Sequence, residues 1–281
     1  MRIAYIVSAY KRPEQLARLV HLLGHSSSAI AVHVDAKTDR RDFDAMVRAV
    51  DDVPGVHFVS RHRCYWGGFG HVRASLKGIE HLVESGAEFD YAVLLTGQDY
   101  PLLGADDLHR FFAAAGGRSY LSHWQLPFAP WGKRGGLDRL EQRHVLGPAR
   151  LHLRLPGRRP LPDRLEAFGG SPYWALARPV VEWLHSYTTE RRDVVRFFER
   201  VYIPDELFFQ SIVLSSRHAG SIVNDNLRYI DWEATPAPKI LTTDDLPAML
   251  ASGALFARKF DTHIDGVVLD ELDRRLTSVR P

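Results

Sequence analysis

The sequence predicts an α/β fold with a mainly parallel sheet flanked by helices, and three observations carry that prediction. Strand-like and helix-like segments alternate through the first half, the strands are apolar runs rich in β-branched residues, and short polar or Gly-containing stretches follow them directly. Strands joined through amphipathic helices give a parallel sheet covered on both faces, with ligands bound outside the C-terminal ends of the strands.

"RIAYIVSAY" (2–10) reads as the first strand, and "PEQLARLVHLL" (13–23) follows with apolar residues at helical spacing. "AIAVHVD" (29–35) returns to strand character, "RRDFDAMVRAV" (40–50) to helix and "GVHFVS" (55–60) to strand. "GHVRASLKGIEHLVES" (70–85) is a helix and "YAVLLTG" (91–97) a buried strand. After Gly116 the pattern loosens, and between Trp131 and Leu165 nine Lys/Arg stand against three Asp/Glu. Regularity resumes with "SPYWALARPVVEWLHSY" (171–187), a short strand feeding a helix, and with a helix through "PDELFFQSIVLSS" (204–216). One domain over 1–281 with a loop-rich, Arg-rich insertion at 124–165 is the reading these segments favour.

Composition bounds the function. The 281 residues are 45% hydrophobic, enough for a sizeable core, and a net charge of +2 gives no push toward nucleic acid. No apolar run reaches the length needed to span a bilayer, and the basic N-terminus lacks a small-residue cleavage site. The single cysteine, Cys64, excludes an internal disulfide and a multi-cysteine zinc site. A soluble cytoplasmic protein is expected. The 14 histidines show no ligand spacing, and neither a dinucleotide fingerprint nor a P-loop is present.

The strand ends select Val7, Asp35, the loop "YWGGFG" (65–70) and "TGQDYP" (96–101). Asp35 either accepts hydrogen bonds from a ribose or base, or caps the turn that follows. Tyr65 and Trp66 offer stacking faces beside three glycines that admit close approach, or simply make a tight turn. Asp99 sits just past a buried strand, where a ligand contact competes with a capping role. "IPDELFFQ" puts Asp205 and Glu206 in the first turn of a helix, as a base or as dipole-stabilising acids. Arg258 and Lys259 in "LFARKFDTHID" are either held against an anion or paired at the surface with Asp261 or Asp265.

Together these motifs resemble the core-2/I-branching N-acetylglucosaminyltransferase family, which includes the peptide O-xylosyltransferases. "AYIVSAYKRPEQLARLV", "AVHVDAKTD", "YWGGFGHVRASLKGIEHL", "YAVLLTGQDYPL", "GGSPYWALARPVVEWL", "IPDELFFQSIVLSS", "LRYIDW" and "LFARKFD" stand in that family's order over about residues 2–265. The resemblance implies a GT-A-type fold and inverting transfer, without a metal cofactor, from a UDP-sugar, most readily UDP-N-acetylglucosamine or UDP-xylose. Residues 1–123 would then be the nucleotide-binding half and 166–281 the acceptor and catalytic half, ending in a diphosphate-binding segment. The one D-x-D, "DFD" at 42–44, falls inside a predicted helix, in keeping with a metal-free site.

By the same resemblance Glu206, with Asp205 beside it, is the catalytic base. Arg258 and Lys259, with Lys239 as a third cation, offset the charge of the departing diphosphate. Val7, Asp35, Tyr65 and Trp66 flank the nucleotide, and Asp99 and Trp174 contact donor or acceptor sugar. Without the membrane anchor and disulfides of eukaryotic relatives, a bacterial enzyme acting on a glycan, a lipid-linked glycan or a small molecule is expected. The insertion is expected to choose the acceptor, with peripheral contact to a membrane surface as one use of its arginines. A binding protein that has lost transfer, and a metal-dependent hydrolase using Asp35, Asp99 and nearby histidines, are the rival readings.

Overall fold

The computed structural model describes residues 1–25, 28–148, 151–232 and 237–278. In chain order the elements begin β1 (Ile3–Ala9), α1 (Pro13–Leu23), β2 (Ser28–Val34), α2 (Arg40–Arg48), β3 (Val56–Phe58), α3 (Gly70–Glu84), β4 (Tyr91–Thr96) and β5 (Asp99–Pro101). There follow α4 (Ala105–Ala114), β6 (Ser119–Leu121), β7 (Trp124–Gln125), α5 (Leu137–Glu141), β8 (Arg143–Leu146), β9 (His152–Leu155), β10 (Phe168–Gly169) and β11 (Trp174–Ala177). The chain closes with α6 (Arg178–Glu190), α7 (Arg192–Phe198), α8 (Phe208–Leu214), β12 (Ile222–Val223), β13 (Arg228–Ile230), α9 (Leu246–Ala251), β14 (Phe256–Arg258) and α10 (Val267–Ser278).

Seven strands form the central sheet in the order β12-β6-β11-β4-β1-β2-β3. Pairings β1–β2, β1–β4, β2–β3 and β6–β12 are parallel, while β11 runs antiparallel to both β4 and β6. The α/β expectation holds, with that one reversed strand. Alternation along each strand divides the core between the two faces of the sheet. Tyr5, Val7, Val93, Leu95 and Ala175 pack on one side, and Ile6, Leu94, Trp174 and Leu176 on the other. Gly78 lets α3 lie against β1, since a Cβ there would stand 2.4 Å from Ile6.

The "DFD" motif lies in α2, as expected: the Asp42 N–H is capped by Asp39, and Asp44 pairs with Arg40. Residues 124–165 are not merely loop, because they hold β7, α5 and the β8–β9 hairpin. The helix expected over 204–216 is interrupted. Pro204–Glu206 form a 3-10 turn, Leu207 leaves helical geometry at φ −133°, and only then does α8 begin. The Glu206 carbonyl accepts from the Gly170 N–H at 2.9 Å, so it is drawn out of the helical ladder.

Candidate active site

A second, three-stranded sheet in the order β13-β14-β5 gathers the cations at the C-terminal end of β4. Its register sets Arg258 opposite Asp99. The Phe260 N–H donates to the Gln98 carbonyl, and the Gln15 amide donates to the carbonyls of Gly97 and Phe260. These bonds fix residues 258–262 against the loop after β4. Arg258 is 9% exposed and Asp99 0%, with Nη1 and Oδ1 3.3 Å apart. Asp99 Oδ2 accepts from the Thr96 N–H at 2.5 Å, so its capping work is for the turn after β4.

Arg258 Nε and Nη1 are buried without a hydrogen-bond partner, as is Arg228 Nε. Arg258 and Arg228 lie 4.4 and 4.7 Å from the centroid of the Tyr173 ring. Burial brings the Arg228 guanidinium down to about 10, and Asp99 opposes the shift. Lys259 is held below its ordinary value by burial, then by Arg258 and Lys11. Such a group of buried cations with unspent donors is built to take an anion. The surface-pair reading fails: Asp261 is engaged by Lys11 and Arg12 at 2.6 and 2.8 Å, and Asp265 accepts from Thr243, Val267 and Val268.

Glu206 is part-buried in the 3-10 turn, and Arg139 Nη1 donates to its Oε2 at 2.8 Å. Arg139, from α5, also lies 4.0 Å from the Trp131 ring centroid. Burial and then the Asp205 carboxylate raise the Glu206 pKa, and Arg139 opposes them. Asp205 is raised by its own burial, with His71 opposing. A carboxylate that is more basic than usual, yet oriented by a guanidinium, suits proton abstraction from a hydroxyl.

At the end of β2, Asp35 Oδ1 accepts from the backbone N–H groups of Lys37 and Cys64, and Oδ2 lies 3.3 Å from Lys37 Nζ. Lys37 in turn sits over the Tyr65 ring at 5.2 Å. Asp35 thus holds the turn after β2 through Oδ1, and its carboxylate is 10% exposed. Trp66 is 74% exposed, its edge toward Tyr202. Gly67 adopts φ +72°, a Cβ there would meet the Tyr202 ring at 3.0 Å, and its carbonyl accepts from the Ile203 N–H. The glycine thus joins the aromatic loop to the turn carrying Glu206.

One short segment ties Glu206 to the cations. Gly170 bonds Glu206, the Ser171 carbonyl accepts from Gln210, and Tyr173 meets both arginines. Three residues span at most about 11 Å. Along this path Ser171 Oγ, Asp205 Oδ1 and Gln210 Oε1 join the arginine nitrogens as buried polar atoms without partners. Orphaned polar atoms are rare in folded proteins, and this run of them makes the path the candidate ligand site.

Residues 3–250 match the family described as Core-2/I-Branching enzyme. The chain belongs to that family. Similar members include xylosyltransferase oxt of Drosophila melanogaster, 25% identical over 98% of this chain and 33% of that protein, and xylosyltransferase 2 of Homo sapiens, 25% identical over 100% and 34%. Beta-glucuronosyltransferase GlcAT14A of Arabidopsis thaliana is also 25% identical, over 100% of this chain and 65% of its own. The chain thus spans about a third of the length of the xylosyltransferases it matches.

Several expected site residues of this Core-2/I-Branching family member stand elsewhere than the sequence suggested. Trp174 is 0% exposed and packs against Phe209 in the core, with its indole Nε1 buried and partnerless; its neighbour Tyr173 lies within 5 Å of both arginines. Asp99, fully buried, serves Arg258 and Thr96. Val7 is 0% exposed within the sheet, paired with Val32 and Leu95, so only its backbone is left to serve a nucleotide. Lys239 is paired with Asp245 at 2.6 Å and faces Asp231 at 3.9 Å, which offsets its charge.

Arg139, Arg228 and Tyr173 were not singled out from sequence. Of these only Tyr173 carried a signal, as an aromatic residue entering a strand. Among the described residues, His33, His62 and Cys64 bring ligand atoms within 4.8 Å of one another, without Asp99. His62 Nε2 bonds the Gly70 carbonyl, its Nδ1 lies 3.1 Å from His33 Nε2, and the His62 backbone N–H donates to His33 Nε2 at 3.3 Å. This trio, which does not include Asp35 or Asp99, is not the set of residues the hydrolase reading uses.

Proposed function

We propose that this protein is an inverting glycosyltransferase that moves a sugar from a UDP-sugar to an acceptor hydroxyl. Glu206 takes the hydroxyl proton as the acceptor oxygen forms its bond to C1 of the donor, and the bond from C1 to the diphosphate oxygen breaks on the opposite face. Arg258 and Lys259 stabilise the charge that grows on UDP, a task otherwise given to a divalent cation. The observation that carries this reading is Arg258: a buried guanidinium whose Nε has no partner and whose Nη1 has only the ion pair with Asp99, tied through Tyr173 and Gly170 to a carboxylate of raised pKa.

Arg228 joins the cation group, Arg139 orients the base, and Tyr173 replaces Trp174 as the aromatic neighbour of the donor. Asp35 and Tyr65 flank the nucleoside. The acceptor is a glycan, a lipid-linked glycan or a small molecule, entering past residues 124–165, which already supply Arg139 to the base. Donors in view are UDP-N-acetylglucosamine and UDP-xylose, and the plant relative's name adds UDP-glucuronic acid. A silent sugar-nucleotide binder would have no use for Glu206 or for its raised basicity.

Thermal melting with a panel of UDP-sugars, each in excess EDTA, tests the reading. A ligand that binds only the native state raises the melting temperature, by about 2.7 kcal/mol of stabilisation at a hundred times Kd. Stabilisation by one UDP-sugar with EDTA present supports a metal-free site. Stabilisation that needs added divalent cation, or none with any UDP compound, sinks it.

A further inference from the structure

No helix among the described residues is long and apolar enough to cross a membrane, yet one element is dressed to lie on one. β9 with its flanks, residues 151–158, is exposed throughout. Leu151, Leu153 and Leu155 are 46, 50 and 41% exposed, and their spacing of two puts them on one face of the strand. The antiparallel register adds Val145, opposite Leu153, and Arg143, opposite Leu155, to that face.

The other face is fixed against the protein. His152 stacks on Tyr202 with ring centroids 4.4 Å apart and bonds His144 at 3.0 Å. The leucine face therefore points away from the body. Three aligned leucines on a two-stranded hairpin are an unusual cost for a surface that meets only water.

Charge names the partner. Residues 143–159 contain five arginines and no carboxylate. Arg143, on the leucine face, is exposed, and the Arg158 side chain is 70% exposed with Glu141 3.8 Å from its Nε; Arg154, opposite His144, is exposed on the other face. Apolar side chains that can enter the acyl boundary, ringed by guanidiniums at headgroup height, match an anionic bilayer. A second copy of this chain fits less well, because two such faces would bring arginines against arginines.

We propose that the β8–β9 hairpin docks the protein on anionic phospholipid, with the three leucines inserted and Arg143 and Arg158 on the headgroups. The docking stands on the hairpin alone and does not depend on the transfer reading. If both hold, α5, which leads into the hairpin and carries Arg139, presents the base to a hydroxyl held near the lipid surface.

The test is co-sedimentation of the full chain with vesicles of phosphatidylglycerol and phosphatidylcholine, and with phosphatidylcholine alone. Wild type should bind the anionic vesicles, and binding should weaken as salt rises from roughly 0.05 to 0.5 M. Replacing all three leucines (Leu151→Ser, Leu153→Ser and Leu155→Ser together) should lower the partition coefficient at least about tenfold, while the melting temperature stays near wild type. Should that variant fail to fold, a dye on Leu153→Cys, with Cys64 buried, should shift to the blue on anionic vesicles only. No wild-type binding to anionic vesicles, binding that survives the serine substitutions, or no dye shift overturns the proposal. So does a wild-type dimer in light scattering that the serine variant breaks up while neither binds vesicles.

Discussion

Arg139 donates a hydrogen bond from Nη1 to Oε2 of Glu206 across 2.8 Å, joining a residue of the irregular middle to a carboxylate 67 positions further on. Burial and Asp205 push the Glu206 pKa up, and Arg139 holds it back. Removing the guanidinium therefore moves the acid limb of the pH–rate profile to higher pH. For Arg139→Met, kcat at neutral pH should fall by about tenfold or more, with part of the loss recovered as pH is raised. A profile of unchanged position would show that Arg139 does not tune the base.

Glu206→Gln separates chemistry from binding. Transfer should fall by about a thousandfold, while UDP affinity stays within a few-fold in calorimetric titration. The sign of the stability effect follows from the raised pKa. A folded-state pKa above the unfolded one means stability is fully present below the unfolded value and is lost as pH rises through the folded one. Glutamine never ionises, so at pH 7 the variant should melt at or above wild type. A sharp drop in melting temperature, or collapse of UDP binding, would instead make Glu206 a structural residue of the turn.

Gly67→Ala tests whether the aromatic loop and the catalytic turn act as one unit. At φ +72°, with Tyr202 3.0 Å from the new Cβ, alanine should cost about 1 to 2 kcal/mol. Because the Gly67 carbonyl also holds the Ile203 N–H, the damage should reach kcat, with UDP affinity falling less. Equal loss in both would mean that the loop serves the nucleotide alone.

How far the site was legible in the sequence depended on whether a residue's role was local. Strand and helix alternation placed β1 to β4 and their helices, because periodicity is a local property. Tyr173 and Trp174 show the limit. Adjacent residues of a strand face opposite sides, and only the neighbouring strands decide which side is core. Asp99 looked available because its partner Arg258 arrives from another sheet strand far along the chain. Arg139 lay in a stretch without periodicity, and its orientation comes from Trp131 and Glu206. Lys239 read as a free cation until Asp245 closed the turn at Thr242 around it.

His33 makes a pH test beneath the donor loop. It is 1% exposed, and burial, then the neighbouring His62, bring its pKa down from 6.5 to about 4. A lowered folded-state histidine pKa means the unfolded chain takes up the proton first as pH falls. Stability should decline from about pH 6.5 and level off near 4, by about 3 kcal/mol in all. His33→Asn, whose amide both donates and accepts and does not titrate, should flatten that part of a urea-denaturation pH series. An unchanged slope would assign the acid sensitivity to another group.

Asp99 and Arg258 are the pair in which stability and function are most closely mixed, and they are separable by a double substitution. Arg258→Ala alone leaves the 0% exposed Asp99 carboxylate without its counter-ion, which should cost about 3 kcal/mol and confuse any loss of UDP affinity. Arg258→Met combined with Asp99→Asn removes both charges and keeps the volume, so the melting temperature should return most of the way to wild type. If Arg258 also serves the diphosphate, UDP binding in that repaired protein should stay at least about tenfold weak, as expected for a lost charge-assisted contact. Lys259→Ala, with no ion pair to strand among the described residues, should weaken UDP with little change in melting. Wild-type UDP affinity in the repaired double variant would leave Arg258 as a partner for Asp99 and nothing more, and would send the search for the leaving-group cation to Lys259 and Arg228.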